Sequence, residues 1–189
     1  MERPEGAAHM GEDEMKIIVV YESMFGNTQT IAEGVAEGLR DAGELGFGSV
    51  DAIAPEEAGD VDLIVAGGPT HAHGMARAGA HEALASDKSS EKYGEILPGR
   101  ESLRGWLDRL PQGHATVAAF DTRFDKPMWI TGSAAKKIAS RLERKGYVVM
   151  AAESFLVGST NGPLLEGERE RAVVWGRELA AKARSAITA

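Results

Sequence analysis

The residues best suited to chemistry form one short run, Ser23-Met24-Phe25-Gly26-Asn27-Thr28, placed between an apolar stretch and a helical pattern. Two hydroxyls, a side-chain amide and the free backbone N–H groups at a helix start together make a neutral cradle for an anion. The run contains neither Lys nor Arg. That composition excludes a nucleotide triphosphatase loop, which needs GxxxxGK[ST], and a dinucleotide loop, which needs GxGxxG. Hydroxyls and amides alone suit a single terminal phosphate monoester. The plainer alternative is a helix N-cap at Asn27 or Thr28 that holds no ligand.

Two further punctuated runs share this character. Gly67–Gly74 reads GGPTHAHG, and Asp121–Lys126 reads DTRFDK. His71 and His73, with His81 beyond them, sit at a spacing that is thin for a metal centre without a carboxylate pair or thiolate nearby. A polar loop is the ordinary reading. Asp121 precedes a Thr at an expected strand end, where an aspartate commonly caps a turn. Arg123 steers an anion or is simply solvated. Trp106 falls on an apolar helix stripe and reads as core, while Trp129 and Trp175 read as packing or surface. The charged patterns of Lys136–Lys145 and Glu166–Arg171 read as solvated helix faces. No GxSxG elbow supports a serine hydrolase. A phospho-receiver domain would need an acidic cluster after the first strand and an Asp after the third, where this chain has Tyr21-Glu22-Ser23 and Gly67-Gly68.

The elements that must position these runs follow from hydrophobic periodicity. Met15–Tyr21 is continuously apolar, as expected of a strand buried on both faces. Ile31, Val35 and Leu39, with Ala32 and Ala36, predict a helix over Thr28–Asp41 that stops at Gly43. Strands are expected at Val50–Ile53, Val61–Ala66, Ala115–Phe120 and Tyr147–Val157. Helices are expected near Ala78–Ala85, around Leu103–Leu110 with Pro111 as the stop, over Ser133–Lys145, and from about Leu164 to Ile187; Ser86–Arg100 reads as a polar excursion. Strands alternating with helices imply βαβ units, hence an α/β fold: a doubly wound, five-stranded parallel sheet, order 2-1-3-4-5, with helices on both faces. Ligands in such sheets bind beyond the carboxyl ends of the strands at the switch in order. For this order the loops concerned follow strands 1, 3 and 4, where the three punctuated runs stand.

A chain of 189 residues with 43% hydrophobic and 26% charged residues fits one globular domain. Met1–Glu14 is polar and aperiodic and reads as a flexible tail, leaving residues 15–189 as the domain. Cysteine is absent, which excludes disulfides, iron–sulfur clusters and cysteine nucleophiles. A net charge of −8 argues against nucleic acid as partner. No apolar stretch approaches the ~20 residues that span a bilayer, and no signal-peptide layout opens the chain, so a cytoplasmic address is expected.

Tyr21–Thr28 resembles the FMN phosphate loop of flavodoxins, a hydroxyl-bearing turn ending in G-N-T after the first strand. Gly67-Gly68-Pro69-Thr70 is similar to the G-x-P-T of flavodoxin-like proteins and quinone reductases. The resemblance runs from Met15 to about Ala183. It implies a flavodoxin-like fold, noncovalent FMN and protein redox partners. It carries Ser23, Met24, Gly26, Asn27 and Thr28 onto the phosphate, with Phe25 of the same loop also among the cofactor-binding residues. Pro69, Thr70, His71, His73 and Gly74 go to the ribityl chain and ring, and Asp121, Thr122, Arg123 and Phe124 to the ring's other side. The family commonly stacks Trp or Tyr on the flavin; neither loop has one here, so His71, His73 and Phe124 are the flat candidates. A protonated imidazole there would favour the anionic reduced ring. His73–Gly74 is the candidate for a peptide that turns with redox state, since glycine makes the turn inexpensive. The expected function is electron transfer by FMN. The alternatives are an FMN-dependent NAD(P)H:quinone-type oxidoreductase, or a module of this fold that has lost its flavin.

Overall fold

The computed structural model describes residues 14–71, 74–76, 79, 86, 96–97, 99–159 and 161–187. The tail apart from Glu14, the helix expected near Ala78–Ala85 apart from Gly79, and most of the polar excursion lie outside the described residues.

Strand β1 (Met15–Tyr21) leads to α1 (Asn27–Leu39), β2 (Gly43–Ser49), a 3-10 turn (Pro55–Asp60), β3 (Leu63–His71) and β4 (Gly74–Met75). There follow α2 (Leu103–Arg109), β5 (Thr116–Phe124), the short α3 (Met128–Thr131), α4 (Ala134–Glu143), β6 (Val148–Val157) and α5 (Glu168–Ile187). Five strands run parallel in the order β2-β1-β3-β5-β6, with β4 folded back antiparallel on β3. This is the expected doubly wound order, with the hairpin strand β4 added.

Alternation along the central strands divides the core. Ile17, Val19, Leu63, Val65 and Phe120 point to one face, under Ile31, Val35 and Leu39 of α1 and Trp175 and Leu179 of α5. Ile18, Val20, Ile64, Ala66 and Ala119 point to the other, under Leu103, Trp106 and Leu107 of α2 and Ile138 and Leu142 of α4. A parallel sheet buried on both faces is why these strands read as unbroken apolar runs. Trp106 is fully buried, and its indole N–H donates to the Ile53 carbonyl at 2.7 Å.

Three strand boundaries depart from the periodicity. β2 is the Gly-rich Gly43–Ser49, whereas Val50–Ile53 forms the turn after it. Val50 and Ile53 are apolar because that turn packs into the α2/α4 core, not because they form a strand. β3 runs on through Gly67-Gly68-Pro69-Thr70, and β5 through Asp121–Phe124. The two extend together, pairing Gly67 with Phe120, Gly68 with Asp121 and Pro69 with Thr122. β1 leaves β3 at Tyr21–Gly67, so the missing N–H of Pro69 interrupts no ladder on that side.

Candidate functional site

The first loop is shaped by what flanks it. Glu22, 2% exposed, turns away from the loop: its N–H donates to the Gly67 carbonyl at 2.9 Å and its Oε2 accepts the Leu103 N–H at 2.9 Å. The acid next to the loop therefore caps α2. Met24 is buried, and its carbonyl accepts the Leu97 N–H at 2.8 Å. Gly26 stands at the N-cap of α1 with φ of +83°, and no side chain caps the helix there. In its first turn the Gln29 N–H reaches Ser23 Oγ at 3.3 Å and the Thr30 N–H the Gly26 carbonyl at 2.9 Å. The Asn27 and Thr28 N–H groups have no acceptor among the described residues. Two donors on the positive end of a 13-residue helix thus face outward beside a hydroxyl and an amide.

Opposite the loop lie the ends of β3 and β5. Thr28 Oγ1 and Thr122 Oγ1 share a buried hydrogen bond of 2.8 Å, which ties α1 to the tip of β5. Thr70 Oγ1 donates to Asp121 Oδ2 at 3.0 Å and accepts the Ala134 N–H at 2.9 Å. The same Asp121 oxygen accepts Ser133 Oγ at 2.7 Å and the Ala135 N–H at 2.8 Å. One fully buried carboxylate oxygen thereby joins the end of β3, the end of β5 and the start of α4.

Between these walls opens a cleft of about 620 Å³, including its mouth. It is lined by Ser23, Met24, Phe25, Asn27, Thr28, Pro69, Thr70, His71, Thr122, Arg123 and Phe124, together with Val157 and Ser159. All three sequence runs converge on it. Gly26 shapes the turn behind the lining, and Asp121 lies beneath it. Gly74 sits in β4, where an added Cβ would lie 2.9 Å from the Lys137 ammonium. His73 is outside the described residues. Among the described residues, no group of three His, Cys, Asp or Glu could hold a metal.

Sequence reasoning missed the fourth wall. The end of β6 at Val157 and Ser159 just beyond it join the lining, and Gly162 packs so closely on the Asn27 amide that a Cβ would meet it at 2.6 Å. The signal was present: Gly-Ser-Thr-Asn-Gly-Pro directly after a strand is turn chemistry of the same kind as the other three runs.

The chain matches no protein-family model and no curated protein. Solved structures do match. A flavodoxin from the domain Archaea is 22% identical, covering 90% of this chain and 99% of its own, with a TM-score of 0.61. Flavodoxin 1 from Bacillus cereus is 18% identical over 88% of this chain and 97% of its own, TM-score 0.59. The flavodoxin of Streptococcus pneumoniae TIGR4 is 18% identical over 88% and 98%, TM-score 0.58. The fold is flavodoxin-like. Against that fold, the cleft lies where a doubly wound sheet of this order places its ligand, at the carboxyl ends flanking the switch between β1 and β3. Among the described residues, no helix of this flavodoxin-like chain is long and apolar enough to cross a membrane.

Proposed function

We propose that the cleft binds FMN noncovalently and that the protein passes one or two electrons between protein redox partners. The observation that carries this reading is the uncharged donor set at the start of α1. Ser23, Asn27 and Thr28 line a cleft whose other walls are the ends of β3 and β5, and the Asn27 and Thr28 N–H groups have no acceptor among the described residues. Such donors hold a phosphate monoester by hydrogen bonds and helix dipole, without the lysine that a triphosphate needs.

When bound, FMN supplies reversible one- and two-electron chemistry at its ring. The chain's part is to hold, orient and shield. Ser23, Asn27 and Thr28 anchor the phosphate. Pro69, Thr70 and His71 line one side of the ring site, and Thr122, Arg123 and Phe124 the other. Phe124 and His71 offer flat surfaces where the family uses Trp or Tyr, and His71 brings a titratable imidazole to the lining. The Thr70–Asp121–Ser133 bonds keep the two strand ends at a set separation, so little reorganisation accompanies electron transfer.

Reconstitution tests this directly. After addition of FMN and removal of free flavin, the protein is expected to retain visible flavin absorption, and riboflavin, which lacks the phosphate, to wash out. A chain that retains neither would overturn the reading. With NAD(P)H and a quinone as sole partners, a carrier should turn over at background rate; rapid steady-state oxidation would make it a reductase instead.

A further inference from the structure

Exposed large hydrophobic side chains are not scattered evenly over this protein. Of the six among the described residues, three fall in one seven-residue segment: Phe124 at 40%, Trp129 at 83% and Ile130 at 45% exposure. The segment leaves β5 at the mouth of the cleft and runs into α3, none of whose residues is buried. A tryptophan this exposed serves neither core. Surface apolar clusters of this kind mark contact sites, and Trp is among the residues that most often dominate a protein–protein contact.

The segment is held in place from behind. Arg123 donates from one guanidinium nitrogen to the carbonyls of Phe124 (3.1 Å) and Lys126 (2.7 Å), and the Asp125 N–H reaches the Val157 carbonyl at 3.3 Å. Its electrostatics run against those of the whole chain. Arg123, Met128 and Lys136 line one groove beside α3 together with the ion-paired Glu153 and Arg171, whose charges offset each other, and Lys126 stands exposed within the segment. None of Arg123, Lys126 and Lys136 is paired with a carboxylate among the described residues, whereas Lys16, Arg109, Arg141, Arg169 and Arg171 each are. The segment's own acid is Asp125 alone.

We propose that Phe124–Ile130 is a docking surface for an acidic protein partner, with Trp129 as the apolar anchor and the exposed Lys126 and Lys136 as the cations that read the partner's carboxylates. The net charge of −8 points the other way, toward a basic partner. At physiological salt the screening length is about 8 Å, so at contact the charges bordering Trp129 outweigh those elsewhere on the surface. The identity of the partner as a redox protein rests on the proposed flavin reading; the surface and its charge preference do not.

The test presents the chain, tethered by its amino terminus, to an acidic plant-type ferredoxin and to basic cytochrome c, with and without FMN. The ferredoxin is expected to bind, and the contact to weaken about tenfold or more as salt rises from about 0.1 M to about 1 M. Trp129→Ala and the pair Lys126→Glu with Lys136→Glu are each expected to weaken it at least tenfold while leaving circular dichroism unchanged, since all three side chains are exposed. The proposal is overturned by ferredoxin that does not bind or that binds these variants as well as the parent, and by preference for cytochrome c. It is equally overturned if Trp129 proves to mediate adsorption to phosphatidylglycerol vesicles or concentration-dependent self-association instead. A chain that takes no flavin but still binds ferredoxin through Trp129 defeats the proposed function and upholds the docking surface.

Discussion

Gly26 at the start of α1 and Gly67 in β3 are each required for a different reason. Gly26 has φ of +83° and open space where a Cβ would stand, so Gly26→Ala meets only backbone strain, about 1–2 kcal/mol. Chemical denaturation should read that loss, with FMN affinity falling further as the N–H groups of Asn27 and Thr28 turn. Gly67 lies under the Phe120 ring, which a Cβ would approach to 2.0 Å. Gly67→Ala therefore overpacks the core and should cost about 3 kcal/mol or more, in the flavin-free and flavin-loaded protein alike. The tyrosines provide a pH signature at the same scale. Burial pushes the Tyr147 phenol above its ordinary 10.0. Tyr21 is raised as well, by burial first and then by the charge of Glu33. The fold thus prefers both phenols protonated. Their contribution is complete below about pH 10 and is lost as pH rises through the folded values. Tyr147→Phe should flatten part of that alkaline decline in denaturation midpoints, though it also forfeits the 3.0 Å bond to the Pro111 carbonyl.

The next scale is that of elements meeting at shared groups. Three of them, β3, β5 and α4, are joined through Asp121 Oδ2. Asp121→Ala leaves a hydroxyl from Thr70, another from Ser133 and the Ala135 N–H without their acceptor, and should cost about 3 kcal/mol or more. Thr70→Val removes one member and should cost about half as much. If instead both variants unfold at the parent's midpoint, the carboxylate does not join these elements energetically. The sheet's outer edge is managed differently. Along β6, the Leu156 N–H donates to Glu168 Oε2 at 2.8 Å, the Leu156 carbonyl accepts the Leu165 N–H at 3.0 Å, and Arg171 donates to the Ser154 carbonyl. The start of α5 and the segment before it cover polar groups that an open edge would offer to another chain. Arg171→Ala should raise light scattering on heating well before the secondary structure is lost.

For the whole molecule, a ligand that binds only the folded state raises its stability by mass action. FMN at a hundredfold excess over its dissociation constant should lift the melting temperature by about 5–10 °C for a chain of this size. Riboflavin should lift it much less if, as proposed, the donors at α1 hold the phosphate that riboflavin lacks. Equal shifts from both flavins would remove the phosphate role from Ser23, Asn27 and Thr28.

The order of the sheet, its burial on both faces and the three runs at its carboxyl end were legible in the sequence because each is a local pattern. A continuous apolar run means a central strand, a 3.6-residue stripe means a covering helix, and turn chemistry between them marks the ends. Gly43–Ser49 was illegible as a strand because three glycines erase its alternation. The reach of β3 through Pro69 was illegible because a proline is tolerated there only by virtue of where β1 ends. Long-range contact decided the rest: that Glu22 turns to α2, that Asp121 lies beneath the cleft while Arg123 lines it, that the loop after β6 closes against Asn27, and that Trp129 is exposed where Trp106 and Trp175 are buried. Side-chain type and spacing determine which element forms and which face it buries. They do not determine which distant backbone group a polar side chain will find, because that partner exists only after the chain has closed.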